Sequence, residues 1–154
     1  MLLATAFGSG LSPIAPGTVG SLVALPFWWF LLAPLEPVWQ AIAVAAACVG
    51  GIVLVDRVCR RKAVEDDQAI VLDEVLGMTV TLWAAPRNLA VAALGFVLFR
   101  GFDIWKPWPV SWAERQWRGG VGVVADDLVA GVLAACVLEI SVAVAQRWGM
   151  ALGA

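Results

Sequence analysis

The chain has 154 residues, 62% of them hydrophobic and 14% charged, with a net charge of −2 and a mean hydropathy of +0.88. A soluble domain carries about 25% charged and about 45–50% apolar residues. This composition therefore excludes intrinsic disorder, argues against a nucleic-acid partner and predicts one integral membrane domain over residues 1–154.

The N-terminus has no Lys or Arg ahead of its apolar residues and is not read as a signal peptide. Residues 8–22, GSGLSPIAPGTVGSL, contain four Gly and two Pro, and predict an ordered loop with no regular helix until about Val19. Val19 to Ala33 is the first apolar segment, with Pro26 inside it, and Pro34-Leu35-Glu36-Pro37 closes it. Val38 to Val55 is the second, interrupted only by Gln40. A bilayer core needs about 20 helical residues, so each is just adequate or short. A polar loop follows, from Asp56 to Gln68. Its Arg57, Arg60, Arg61 and Lys62 read as topology determinants, and its Glu65, Asp66 and Asp67 as a solvated face.

Ala69 to Ile104 is read as a short hairpin of two helices turning at Pro86-Arg87-Asn88, because Pro and Arg sit badly at a bilayer centre. The Trp-rich segment from Trp105 to Gly120, WKPWPVSWAERQWRGG, is too polar to span and suits the membrane–water interface. A last helix is expected from about Val121 to Ala145. The hairpin puts the basic loop 56–68 and the basic segment 100–118 on one side, which the positive-inside rule makes cytoplasmic. The expected fold is all-α: a polytopic membrane helical bundle with a re-entrant or short helical hairpin and an interfacial segment.

With no histidine, and with Cys48, Cys59 and Cys136 isolated, imidazole chemistry, thiol phosphatase chemistry, zinc clusters and a disulfide framework are disfavoured. Five carboxylates remain in apolar surroundings: Asp73 and Glu74, Asp103, and Asp126 and Asp127. Such residues are costly near hydrocarbon and usually face a partner or a polar cavity. Asp73 lies 15 residues before position 88 and Asp103 15 residues after it. At ~1.5 Å per residue the hairpin returns both to one depth, where the last helix brings Asp126 and Asp127. Five converging acids repel unless a cation sits among them, and an all-oxygen ligand set selects Mg²⁺, with Mn²⁺ or Ca²⁺ as substitutes. One ion or two would fit.

Arg100 precedes Asp103 by three and Lys106 follows it by three, which makes them a candidate phosphate clamp. The N-terminal loop, with Ser9, Ser12, Gly17, Thr18 and Ser21, offers hydroxyls and backbone N–H groups to an anion. Gly77 follows Glu74 by three and Gly131 follows Asp127 by four, an internal echo that would let two helices approach and bring the acid pairs together. The plainer readings are ion pairs of Asp73 or Asp103 with Arg100 or Arg57, a loop that merely connects, Trp residues as interfacial anchors and Cys residues as packing.

Together, GSGLSPIAPGTVGSL, IVLDEVLGM, FRGFDIWKPWP and DDLVAG resemble bacterial phosphatidylglycerophosphatase A, from about Ala4 to about Val137. The resemblance implies an all-helical, Mg²⁺-dependent, multi-pass phosphatase of the bacterial inner membrane with its site facing the cytoplasm. It implies removal of the phosphomonoester of phosphatidylglycerophosphate to give phosphatidylglycerol, a step toward cardiolipin. The family's acidic motifs map onto Asp73, Glu74, Asp103, Asp126 and Asp127, and its basic position onto Lys106. The expected catalytic set is Asp73, Glu74, Asp103, Lys106 and Asp127. The expected metal ligands are the five acids, and Gly17, Thr18, Ser21, Arg100 and Lys106 are expected to hold the substrate phosphate. Expected partners are the phospholipid substrate, the bilayer and a second copy of the chain. Ala6 and the run EDDQAIV depart from the family pattern without touching an expected ligand. The alternatives are another membrane lipid-headgroup phosphatase or phosphotransferase, or a small cation transporter. The D-x-x-D-G-x-x-A-R pattern of CDP-alcohol phosphotransferases is absent, and acids at one depth do not line a conduction path.

Overall fold

The computed structural model describes residues 16–62, 71–117 and 119–150. Among these there are six α-helices and no strand. They are α1 (Pro16–Phe27), continued by a π-helical turn (Trp28–Leu32), α2 (Pro37–Lys62), α3 (Leu72–Thr81), α4 (Leu89–Trp105), α5 (Val110–Gln116) and α6 (Gly119–Arg147). The all-helical expectation holds, as does the helical hairpin: α3 and α4 are joined by a turn over residues 82–88.

α1 begins earlier than expected. Pro16 occupies its first position, where a missing N–H costs nothing. Gly17 and Gly20 lie inside the helix rather than in a turn, and close packing explains them. A Cβ on Gly17 would fall 2.5 Å from Glu74 Oε1, and one on Gly20 would fall 3.0 Å from Val71 Cβ. Pro26 also lies within α1 and cannot donate a backbone hydrogen bond; the chain then widens into the π turn, where the Ala33 N–H donates to the Trp28 carbonyl at 2.8 Å.

The hairpin is set by caps. The Asn88 side chain accepts from the N–H groups of Ala90 and Val91 at 2.8 and 3.3 Å and starts α4. Lys106, in the left-handed conformation at φ 44°, ends it, and Pro107 bars continuation. Gln40 ties the hairpin turn to α2: its Oε1 accepts from the Ala84 N–H at 3.1 Å while its Nε2 donates to the Leu35 carbonyl at 2.9 Å.

α6 is the central element, packed against α2, α3, α4 and α5. Its Ala130, Ala134 and Leu138 share the main core with Trp28, Met78, Leu82 and Phe99. A smaller cluster joins α2, α3 and α6 through Val55, Leu76 and Val124. Two stretches, Pro37–Val58 and Val124–Arg147, are long and apolar enough to cross a membrane. α3, with ten residues, extends only about 15 Å and cannot cross alone. Large apolar side chains cover much of the outer surface, among them Phe30, Leu31, Val49, Val97 and Ile140. Exposed Trp residues gather at both ends of the bundle. Trp105, Trp108, Trp112 and Trp117 lie where α4 meets α5, and Trp39, Trp83 and Trp148 lie at the end carrying the hairpin turn.

Candidate active site

The acids meet at the end of the bundle where α1 and α3 begin and α4 ends. Asp73 and Glu74 occupy the first turn of α3, where carboxylates complement the helix dipole. The Glu74 N–H donates to Asp73 Oδ1 at 3.1 Å. Asp127 comes from α6, whose start at Gly119 puts the residue in its third turn. Close contact between α3 and α6 makes the meeting possible. A Cβ on Gly131 would lie 2.5 Å from the Gly77 carbonyl oxygen, and one on Gly77 would lie 2.7 Å from that of Asp127. Only glycine permits backbones this near. Thr81 locks the crossing, its hydroxyl lying 3.0 Å from the Gly77 carbonyl oxygen and 3.4 Å from that of Gly131.

Asp73, Glu74 and Asp127 each offer an oxygen, and these lie within 4.8 Å of one another. Asp73 and Asp127 are buried and Glu74 half-buried. Asp103 sits at the edge of this group, close enough to Asp127 for their charges to interact, and is paired with Arg100 at 2.5 Å. Two buried polar atoms at this site have no hydrogen-bond partner among the described residues: Glu74 Oε2 and Arg100 Nε. The first turn of α1 closes the site, because the missing side chain of Gly17 leaves room for both Glu74 and Arg100. An oxygen-only set, mutually repulsive without a cation and carrying an unpartnered carboxylate oxygen, fits a hard divalent ion.

Lys106 stands to one side. Its ammonium donates to Asp126 Oδ2 at 2.8 Å and Glu114 Oε1 at 2.6 Å. Burial works against its charge, but the hydrogen bonds and charges of Asp126 and Glu114 outweigh this and hold its pKa above the ordinary lysine value.

A family model described as phosphatidylglycerophosphatase A matches residues 2–142. The chain belongs to the phosphatidylglycerophosphatase A family. A phosphatidylglycerophosphatase A of Escherichia coli K12 is 45% identical over 138 residues, covering 89% of this chain and 80% of that protein. One from Haemophilus influenzae Rd is 36% identical over 138 residues, covering 89% and 85%. A protein of Bacteroides thetaiotaomicron, named provisionally as a phosphatidylinositol-3-phosphatase, is 38% identical over 156 residues, covering 96% and 93%. No solved structure matches.

The acids that the phosphatidylglycerophosphatase A motifs mark out are divided by the structure. Asp73, Glu74 and Asp127 form one group; Asp103 is held by Arg100 beside it; Asp126 turns to Lys106. Of the expected phosphate ligands, Gly17 lies against Glu74 and Arg100, Thr18 follows it in the same turn of α1, and Ser21 is buried with its hydroxyl donating to the Gly17 carbonyl at 2.9 Å. Lys106 is already bound by two carboxylates. Ser9, Ser12, Glu65, Asp66, Asp67 and Arg118 lie outside the described residues, as do the side chains of Arg60, Arg61 and Lys62. Glu114 escaped the sequence reading. Its one signal was being the single acid in WKPWPVSWAERQWRGG, a segment otherwise rich in Trp and cations.

Proposed function

We propose that this chain hydrolyses the phosphomonoester of phosphatidylglycerophosphate to phosphatidylglycerol and inorganic phosphate. In this reading it is a Mg²⁺-dependent, multi-pass enzyme of the bacterial inner membrane whose site faces the cytoplasm. The observation that carries the proposal is the three-carboxylate group with Arg100 beside it, in a chain 45% identical to a phosphatidylglycerophosphatase A.

Asp73, Glu74 and Asp127 would hold the ion, with Asp103 at its margin. When bound, Mg²⁺ supplies charge that stabilises the phosphate oxygens in the transition state. Arg100 presents a buried Nε–H with no protein partner to a phosphate oxygen, while its pairing with Asp103 fixes the plane of the guanidinium. Gly17 lets the first turn of α1, whose N–H groups have no acceptor within the helix, come near the same anion. A carboxylate of the group takes a proton from the attacking water, and the P–O bond to the glycerol oxygen breaks as that oxygen gains a proton. Lys106, fixed between Asp126 and Glu114, places a cation at the rim where an anionic headgroup approaches.

The apolar outer surface, the two Trp-rich ends and the two long apolar helices support a bilayer setting. Arg57, Arg100, Lys106 and Arg115 belong to the end carrying the acids, against Arg87 and Arg147 at the other, which supports a cytoplasmic site. The test is phosphate release from phosphatidylglycerophosphate in detergent micelles with Mg²⁺ and then with EDTA. Release that EDTA abolishes and Mg²⁺ restores is expected, and folded protein that releases none overturns the proposal. The Bacteroides relative favours a second reading, a phosphoinositide monophosphate as substrate. Faster release from phosphatidylinositol 3-phosphate in the same assay would select it.

A further inference from the structure

A cavity of about 420 Å³ opens between α1, α2 and α3, within the ~300–1,000 Å³ range of small-molecule sites. α3 forms its floor, and α1 and α2 form its two walls. α1 packs on α3 and α4, and α2 on α3 and α6, while α1 and α2 hardly touch each other. The seam between them therefore stays open along the outer surface, where Val23, Phe27, Ala47 and Gly50 are exposed.

Its lining is apolar except for Thr79, whose hydroxyl already donates to the Val75 carbonyl at 2.7 Å. No polar group in the lining asks for a polar ligand. Small residues on α2, Ala43, Ala47 and Gly50, make the wall concave.

The direction of the groove identifies the occupant. It begins at Leu72 and Val75, which flank Asp73 and Glu74 on α3. It runs to Thr79 on α3 and from Leu54 back to Ala43 on α2, a length of about 10–16 Å at 1.5 Å per residue. One leaflet of a ~30 Å hydrocarbon core is about 15 Å deep. We propose that this groove receives an acyl chain of the phospholipid whose phosphate lies at the acid cluster, entering sideways from the bilayer between α1 and α2. The proposal rests on the lipid-phosphatase reading above and adds where the lipid's apolar part is held.

Two measurements test it. The first compares the Gly50→Leu variant with wild type on phosphatidylglycerophosphate carrying two palmitoyl or two butanoyl chains. A Cβ at Gly50 meets nothing within 4 Å, so a leucine there starts into open space at the groove wall. Its kcat/KM for the palmitoyl substrate should fall about tenfold, the loss of a few methylene contacts. The butanoyl substrate and the outward-facing control Val49→Leu should be unchanged. The second measurement needs no turnover. A phosphatidylglycerophosphate with a diazirine midway along one chain should label α1 or α2 in the wild type, with several-fold less label in Gly50→Leu.

Equal activity of Gly50→Leu on both substrates, or label on the outer face of α4 instead, would overturn the groove assignment while leaving the phosphatase reading intact. Equal loss on both substrates, accompanied by loss of a cross-linked dimer, would give the groove to a second copy of the chain and also overturn it. Absence of turnover on every phosphatidylglycerophosphate, with labelling of α1 or α2 intact, would instead defeat the phosphatase reading.

Discussion

Gly131→Ala tests whether the backbone crossing, and not the acids alone, makes the site. The added Cβ would lie 2.5 Å from the Gly77 carbonyl oxygen, 3.1 Å from its carbon and 3.2 Å from its Cα. All three neighbours are backbone atoms of α3, so no side chain can swing aside. Reaching ordinary van der Waals contact requires α3 and α6 to part by about 0.9 Å, at a cost of about 1–3 kcal/mol for an overpacked interior. The same movement stretches the contact of Thr81 with the Gly131 carbonyl, already 3.4 Å. It also carries Asp127, one turn before Gly131, away from Asp73 and Glu74, one turn before Gly77. A displacement of about 1 Å at reacting groups can cost about 10²-fold in rate. Phosphate release should therefore fall about 100-fold and need a higher Mg²⁺ concentration for half-maximal rate, while the purified protein keeps its helical circular dichroism. Gly101→Ala is the control. Nothing lies within 4 Å of its Cβ position, and alanine in a helix interior should be neutral or stabilise by about 0.5–1 kcal/mol. Wild-type turnover and Mg²⁺ dependence in Gly131→Ala would refute the claim that this crossing holds the carboxylates together.

Asp127→Asn should reduce turnover by at least about 10²-fold, yet melt in EDTA no lower than wild type, since it removes a buried carboxylate from a group of three that repel one another; a lower melting temperature in EDTA would show that the charge is compensated within the protein. Lys106→Met should destabilise by about 1–3 kcal/mol because Asp126, only 12% exposed at its side chain, loses its cation. Adding Asp126→Asn should recover most of that loss in urea titrations, whereas Glu114→Gln alone should cost under about 1 kcal/mol, Glu114 itself lying half in solvent. Gln40→Leu should cost about 0.5–1.5 kcal/mol by removing the part-buried hydrogen bond from the Ala84 N–H. Differential scanning fluorimetry that showed no change would mean that the turn is held by its other contacts.

What could be read from the sequence was whatever depends on spacing along one helix. The hairpin followed from Pro86-Arg87-Asn88 and from the equal distances of Asp73 and Asp103 to it. The echo of Gly77 and Gly131 after their acid pairs anticipated the backbone approach that the structure shows. The start of α1 was misjudged because Gly17 and Gly20 look alike whether they serve a turn or close packing. Only the neighbours, Glu74 and Val71, decide which. Likewise Gln40 read as a lone polar residue in an apolar run. Its purpose depends on Ala84, 44 positions away.

The division of the acids has a geometric cause that local counting passes over. With 3.6 residues per turn, neighbouring side chains on a helix point about 100° apart. Asp126 and Asp127, deep in α6, therefore cannot both face one ion. Asp127 reaches Asp73 and Glu74, and Asp126 reaches Lys106. Asp73 and Glu74 are also neighbours, yet both join the group. They sit in a first turn, where Asp73 bends to accept the Glu74 N–H and the longer Glu74 arm comes round past Gly17. The DD and DE pairs look equivalent as letters, but one lies mid-helix and must split its charges between two partners. The other lies at a helix start and can point both toward the same place. Exchanging the two letters at 73 and 74 should thus be far more damaging than Asp126→Glu. Moving the long arm to position 73 leaves the space beside Gly17 unfilled, whereas a glutamate at 126 still points toward Lys106 and has only to fold its one extra methylene. Phosphate release by Asp73→Glu/Glu74→Asp beside that by Asp126→Glu measures this directly, and equal rates would refute the geometric account.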